Sequence, residues 1–257
     1  MLRWFRDRRR HKALAQPFPP EWNAILEDLP TYRRLPPEDR NELRGHVQVL
    51  LDEKQFEGCG GIEITDEIRV TVAAHAAILL LHRKTDYYPQ LASILIYPEA
   101  YGAPGERHVG EYLVEEGIEV REGESWYRGS MVLSWKDVRR GVADIDDGEN
   151  VVFHEFAHQL DDESGTGDGT PLLSSRDEWR RWVGVCEREY EALVDADERG
   201  RKTLIDPYGA ENPSEFFAVV TECFFERPRK LKARHRELYD VFSEYYRQDP
   251  GSWTAGE

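Results

Sequence analysis

Apolar residues recur along much of this chain at the spacing of buried helices. In the middle third of the chain the apolar segments are shorter and have the pattern of strands. The run from Asp66 to His82 follows an acidic start and predicts a core helix. A strongly apolar helix is expected over Pro213–Phe225, and the pattern from Val151 to Leu160 predicts a third buried helix. Further helices are expected at 20–29, 37–53, 176–194 and 230–246.

The middle third predicts a small sheet. Ser93–Tyr97 and Gly129–Ser134 are strand candidates, and Tyr112–Arg121 carries a weaker strand pattern. Because there is no internal repeat and no clear domain boundary, we expect an α+β fold, mostly helical with a small mixed sheet. We expect a basic, flexible tail over residues 1–20 and a single domain over residues 21–257.

Composition narrows the classes of function. The chain has 257 residues, 40% of them hydrophobic, and a formal net charge of −16 at pH 7. This acidity argues against direct nucleic-acid binding, which needs clustered positive charge. The basic residues of the first twelve positions are an exception. They are either a solvated terminus or an arm for nucleic acid or a membrane surface.

No pattern in the chain predicts export or membrane insertion. The basic start is not followed by the apolar segment of a secretory signal. The apolar run from Val70 to Leu81 is too short to span a bilayer. Cys59, Cys186 and Cys223 are scattered and cannot all pair, which favours a reduced, cytoplasmic setting.

The most specific pattern is the H-E-x-x-H sequence His154-Glu155-Phe156-Ala157-His158, on a predicted buried helix. Residues four apart share one helix face, so His154 and His158 can bind one metal ion, and Glu155 can reach a water on it. This is the core of a zinc hydrolase, in which a carboxylate takes a proton from the bound water. The alternative is a core histidine pair bonded to backbone and carboxylates.

A catalytic zinc site needs a third protein ligand. A metzincin would have glycine and histidine where this chain has Asp161 and Ser164, so that class is excluded. Glu178 has roughly the spacing of a thermolysin-type ligand but lacks the surrounding motif. Glu215 is the better candidate because it lies at the head of an apolar helix. The alternative is that Glu215 only completes a capping box with Asn212.

Three more acidic residues are candidates for the surroundings of such a site. Glu222 lies two turns beyond Glu215 on the same helix face, and we expect it to hold a ligand in place rather than bind metal. Asp161 and Asp162 follow His158 by three and four residues. Either can orient a ligand imidazole, with Asp161 favoured, and either can simply end the helix.

Several separated segments resemble one known family. His154–Asp161 (HEFAHQLD) and Pro213–Phe225 (PSEFFAVVTECFF) are similar to motifs of the Mlc titration factor A family of zinc metallopeptidases. Val132–Trp135 and Tyr245–Pro250 also resemble that family. The resemblance covers most of the chain and is weakest over residues 1–20.

The resemblance implies a gluzincin-like metallopeptidase domain, similar to the catalytic domain of anthrax lethal factor. It implies one Zn²⁺ per chain held by His154, His158 and Glu215, with Glu155 as general base. It also implies that Tyr208, seven residues before Glu215, donates a hydrogen bond to the developing oxyanion.

The family further implies aminopeptidase-like hydrolysis of short peptides. It implies binding of Mlc, a glucose-responsive transcriptional repressor, and so a link to sugar-uptake control. Two rivals stay open: a metal-containing protein that sequesters a transcription factor without significant catalysis, and a hydrolase of a non-peptide amide. Glu155 weighs against a pure binder, because holding a metal needs no base there.

Overall fold

The computed structural model describes residues 2–99, 108–109, 113–114 and 129–253, and most of them are helical. The α-helices are α1 (Leu2–Leu14), α2 (Pro20–Asp28), α3 (Pro30–Arg34), α4 (Pro37–Glu53), α5 (Asp66–Ile78), α6 (Trp135–Ala143), α7 (Val151–Asp162), α8 (Arg176–Glu198), α9 (Pro213–Glu226), α10 (Pro228–Arg234) and α11 (Arg236–Tyr246). The strands are β1 (Gln55–Gly58), β2 (Ser93–Tyr97), β3 (His108–Val109), β4 (Leu113–Val114) and β5 (Ser130–Ser134), and 3-10 helices cover Pro207–Ala210 and Pro250–Ser252. None of the helices in these ranges is long and apolar enough to cross a bilayer.

The strands form two separate groups. Strands β1, β2 and β5 pair in parallel in that order, with Ser93 opposite both Gln55 and Ser130. Parallel neighbours need a long crossover, and the one between β1 and β2 carries α5. Strands β3 and β4 form an antiparallel pair. Among the described strands, the predicted mixed sheet is therefore a parallel sheet and a separate antiparallel pair. Apart from Leu113–Val114, the strand predicted at 112–121 lies outside the described residues.

The basic N-terminal residues, predicted as a flexible tail, form helix α1 against α4 in this structure. Arg10 connects this helix to later segments of the chain. Its side chain is buried, with Nε 2.6 Å from Glu53 Oε1 and Nη1 2.8 Å from Asp86 Oδ1. Such charge-assisted hydrogen bonds fix a guanidinium in a way that a solvated tail cannot. The N-terminal sequence pattern cannot reveal them, because the acids are 43 and 76 positions away.

Helix boundaries differ from the prediction where the backbone leaves the helical conformation. Helix α5 ends at Ile78, before the predicted end at His82, which has a φ of 61°. The single helix predicted at 230–246 is instead α10 and α11, because His235 adopts φ −131° and ψ 60°. Helix α8 continues beyond its predicted end to Glu198.

Helices α7 and α9 begin with the same type of cap. The Asn150 side-chain oxygen accepts the N–H groups of Val152 and Phe153, both at 3.2 Å. Asn212 does the same for Ser214 and Glu215, both at 3.0 Å. A cap of this type contributes about 1 kcal/mol, and it fixes the residue at which each helix starts.

The two capped helices pack against each other, and α7 also packs against α5 and β5. Helix α7 buries Phe153, Phe156 and Leu160, and α9 is buried from Phe216 to Glu226. Truncating a core phenylalanine such as Phe153 to alanine costs about 3–5 kcal/mol in comparable cores. Polar groups that project into such an apolar contact need polar partners, because burying them unpaired is costly. These groups and their partners form the candidate site.

Candidate metal centre

The packing of α7 on α9 brings three ligand-type side chains together. His154 Nε2 lies 3.2 Å from His158 Nε2, and Glu215 Oε2 lies 3.0 Å from the first nitrogen and 3.4 Å from the second. Around a tetrahedral zinc ion with bonds near 2.0–2.1 Å, adjacent ligand atoms are about 3.3 Å apart. The three atoms are therefore spaced like one face of such a tetrahedron. Within the described ranges, no other group of His, Cys, Asp and Glu side chains has this convergence.

The donor types also suit a metal of the zinc class. Two imidazole nitrogens and one carboxylate oxygen are a donor set of catalytic zinc sites, in which the fourth position stays open for water or substrate. His154 is buried, and His158 and Glu215 are partly exposed. The residues present can therefore hold a divalent cation and leave one side of it accessible.

The protonation of the cluster shows how strongly it favours a cation. Burial lowers the pKa of His154, but hydrogen bonds with Glu215 and Glu222 outweigh burial and raise that pKa to about 10. Burial raises the pKa of Glu215, but hydrogen bonds from both histidines lower it to about 2. In the metal-free protein a proton thus sits between these groups. A metal ion would compete with that proton for Nε2 of His154.

The outward nitrogen of His154 is held by a buried carboxylate. His154 Nδ1 lies 2.8 Å from Glu222 Oε1, and the other Glu222 oxygen accepts the Asn150 N–H. Asn150 also donates through its side chain to Glu226 Oε1 at 3.0 Å. With Nδ1 protonated toward Glu222, loss of the proton from Nε2 leaves a lone pair that faces His158 and Glu215.

The second imidazole is held through a serine. His158 Nδ1 lies 3.1 Å from Ser214 Oγ, and Ser214 Oγ donates to Asp161 Oδ2 at 2.9 Å. Asp161 is fully buried and also accepts the Gly169 N–H at 2.8 Å. Asp161 therefore reaches the imidazole only through Ser214. Asp162 is exposed, and none of its hydrogen bonds to described residues involves an imidazole.

Glu155 lies beside the cluster on α7 and has an unsatisfied oxygen. Its Oε1 atom is buried and has no hydrogen-bond partner among the described residues. Burial raises the pKa of Glu155, with His154 and His158 opposing that rise. A buried carboxylate oxygen without a partner is costly, so such atoms are often met by water or substrate. A raised carboxyl pKa also suits proton transfer near neutral pH.

Tyr208, on the 3-10 helix before α9, borders the candidate metal-binding residues. Its ring centroid lies 6.0 Å from that of His154. Asp206 Oδ1 accepts the Tyr208 N–H at 2.8 Å, and the Tyr190 hydroxyl donates to Ala210 O at 3.2 Å. The short helix is thus anchored at both ends, which fixes where the Tyr208 ring lies.

The other candidate for a third ligand, Glu178, lies in a different place. Its N–H binds Ser175 Oγ at 3.1 Å, and its carboxylate accepts the Ser174 N–H at 2.8 Å, which makes it part of the cap of α8. Glu215 instead directs its carboxylate to the histidines and leaves the capping of α9 to Asn212. The structure brings together Glu215 and the two histidines, and excludes Glu178 from that cluster.

Three residues in or next to the site escaped the sequence analysis: Asn150, Ser214 and Glu226. Asn150 directly precedes an apolar helix, a capping signal by which it could have been found. Ser214 joins residues that are 53 and 56 positions away, and no local pattern reveals such a link. Glu226 is a buried acid one turn beyond Glu222, and only the packing of α9 on the start of α7 gives it a partner.

Known proteins resemble this chain over nearly its full length. The model of the family described as glucose-regulated metallo-peptidase M90 matches residues 2–247. An uncharacterized protein of Synechocystis sp. is 44% identical over 246 residues, which cover 95% of this chain and 90% of the relative. Proteins named Mlc titration factor A are 30% identical in Pectobacterium atrosepticum (236 residues, 89% of this chain and 86% of the relative) and in Yersinia pestis (237 residues, 90% and 85%).

Proposed function

This chain belongs to the glucose-regulated metallo-peptidase M90 family, and from that premise we propose that it is a zinc-dependent, aminopeptidase-like hydrolase of short peptides with a gluzincin-like site. The observation that carries the proposal is the triangle of His154 Nε2, His158 Nε2 and Glu215 Oε2, with edges of 3.0, 3.2 and 3.4 Å. This spacing suits three ligands of one zinc ion, with a fourth position left for water.

The proposed mechanism gives each residue a separate task. His154, His158 and Glu215 would hold the ion, and a bound Zn²⁺ would supply a Lewis acid that brings the pKa of a water to about 7. Glu155 accepts the proton of that water at its unpartnered oxygen and later gives it to the leaving amine. The Tyr208 hydroxyl donates a hydrogen bond to the carbonyl oxygen as negative charge develops there.

We further propose that the peptide lies along β5. Strand β5 packs against α7 and pairs with β2, and it has no second neighbour among the described strands. Met131 and Leu133 are buried, whereas Val132 is 39% exposed. An extended substrate can hydrogen-bond to a free strand edge through its main chain, which binds peptides with little dependence on their side chains.

A second candidate function is the binding of an Mlc-like repressor. The name Mlc titration factor A, carried by relatives at 30% identity, favours this candidate. In that alternative the metal has a structural role and catalysis is insignificant. The buried, unpartnered oxygen of Glu155 favours the enzyme, because it contributes nothing to holding a metal.

Glu155→Gln distinguishes the two candidates. The zinc-loaded wild type should hydrolyse short peptides with a free amino terminus, lose activity in a chelator and regain it with zinc. The Gln variant should keep its zinc and lose nearly all hydrolysis, since the amide cannot take the proton of the water. Asp162→Asn is the matched control, an exposed acid on the same helix, and should stay active. Undiminished hydrolysis by zinc-loaded Glu155→Gln would refute the mechanism, and an inactive wild type that binds an Mlc-like repressor would favour the second candidate.

A further inference from the structure

A cavity of about 390 Å³ lies at the C-terminal end of α9. Glu226 in its wall is three turns of helix, or about 16 Å, beyond Glu215. The cavity is therefore separate from the candidate metal centre. Its wall combines apolar surface from Pro250 and Trp253 with the cations Arg227, Arg229 and Lys230.

The three cations have no carboxylate partner among the described residues. Arg227 Nε donates to the Asp146 carbonyl at 2.9 Å, and Arg229 donates to the carbonyls of Gly251 and Trp253 at 3.4 and 3.2 Å. Carbonyl acceptors orient a guanidinium without neutralising its charge. The terminal Nη atoms of Arg227 make no hydrogen bond within the described part of the chain, so they remain available to a ligand.

The two acids of the cavity wall do not compensate this charge. Asp146 is already paired with Arg34, at 3.1 Å. Glu226 directs its oxygens to the Gly148 N–H and to the Asn150 side chain, both at 3.0 Å. Burial also raises the pKa of Glu226 well above its ordinary value. The cavity is thus a positive region in a chain of net charge −16, and its field attracts anions.

We propose that this cavity binds a small organic anion, a phosphorylated or carboxylated molecule with an apolar portion. The Arg227 guanidinium presents two parallel donors, the geometry that matches two oxygens of a phosphate or carboxylate. Lys230 adds a second charge, and Trp253 and Pro250 face the apolar portion. The volume falls within the range of small-molecule sites. The proposal does not depend on peptidase activity.

Isothermal titration of the zinc-loaded full chain tests it with three probes of similar size: phenyl phosphate, benzoate and uncharged benzyl alcohol. At least one of the two anions should bind with one site per chain, and benzyl alcohol should not bind. The anion that binds more tightly identifies the phosphorylated or the carboxylated class. Lys230→Gln and Arg227→Gln should each weaken binding roughly tenfold, the size expected for one charge-assisted hydrogen bond.

Two controls make the result decisive. Arg234→Gln removes the same charge from α10 outside the cavity and should bind like the wild type. Lys230 is exposed, and its side chain holds no backbone group of the described residues, so its variant remains informative even if Arg227→Gln disturbs the segment at Asp146. Absence of anion binding, or equal weakening by Arg234→Gln, would overturn the proposal. So would binding that survives both cavity variants but disappears when zinc is removed, because that binding would belong to the metal centre.

Discussion

Glu222 Oε1 lies 2.8 Å from Nδ1 of His154, and its other oxygen accepts the N–H of Asn150, the residue that caps the same helix. The carboxylate thus fixes both the ring and the start of α7. Glu222→Gln removes the charge and keeps the size. We expect the zinc dissociation constant to rise about 10–100-fold, the usual effect of losing a partner of a ligand histidine. Competition with a fluorescent chelator measures it.

The control for that experiment is Glu226→Gln. Glu226 lies one turn further on the same helix, is also buried and contacts the start of α7 rather than a histidine. The Glu226→Gln variant should bind zinc with the affinity of the wild type. Equal weakening in both variants would mean that Glu222 only supports the fold.

Ser214 connects His158 to Asp161, so its hydroxyl should position the imidazole. Ser214→Ala leaves Asp161 Oδ2 and His158 Nδ1 without their common partner. We expect about tenfold weaker zinc binding and a lower kcat. Ser214→Thr keeps the hydroxyl and should restore both. If Thr fails to rescue zinc binding while the variants unfold at the same temperature as the wild type, the hydroxyl has no such role.

Tyr208→Phe should lower kcat for peptides roughly 10²–10³-fold, because one donor to the oxyanion is lost. Zinc content should not change, since the phenol is not a ligand in the proposed centre. Tyr190→Phe is the matched control, because its hydroxyl holds the segment that carries Tyr208 without facing the metal. A smaller loss in Tyr208→Phe than in Tyr190→Phe would make Tyr208 a structural residue.

His75 gives a prediction on stability. Its ring is fully buried, with Nδ1 2.9 Å from Thr71 O and Nε2 3.0 Å from Thr31 Oγ1. Burial lowers its pKa from 6.5 to about 4. Between these values the unfolded chain binds the extra proton. The stabilisation is complete above pH 6.5 and is lost as the pH falls toward 4, by up to roughly 3 kcal/mol.

Urea unfolding of the metal-free protein at pH 7.5 and pH 5 measures that loss. In His75→Gln the difference in unfolding free energy between the two pH values should shrink, because Gln does not titrate. His11→Gln, which changes an exposed histidine, should keep the wild-type difference. An unchanged difference in His75→Gln would show that other groups cause the acid sensitivity.

The parts of the site that the sequence predicts are the local ones. His154 and His158 share a face because four residues make about one helical turn. Glu215 is 61 positions from His154, and it could be singled out only as an acid at the head of an unusually apolar helix. The sequence alone could not separate its roles as ligand and as cap. The packing of α9 on α7 brings the Glu215 carboxylate to His154, and the side chain of Asn212 caps the helix.

The parts of the fold and of the site that the sequence does not predict depend on contacts between residues far apart in the chain. Arg10 orders the N-terminal helix through acids in later segments, and Ser214 joins two residues of a different helix. The backbone leaves the helical conformation at His235, although the amphipathic sequence pattern continues on both sides of that residue. Periodicity reports which face of an element is apolar, and it contains no information on which partner satisfies a given polar atom.

The assignment of Glu215 as third ligand can be decided by one comparison, the zinc content and affinity of Glu215→Gln and Glu178→Gln beside the wild type. Both variants remove one negative charge near a helix start, and Glu178 caps α8 without touching the histidines. Wild type and Glu178→Gln should hold one zinc per chain with the same affinity. Glu215→Gln should bind it more than about 100-fold more weakly, because two imidazoles alone hold a catalytic metal poorly. Wild-type zinc affinity in Glu215→Gln would show that the metal centre is not built as proposed.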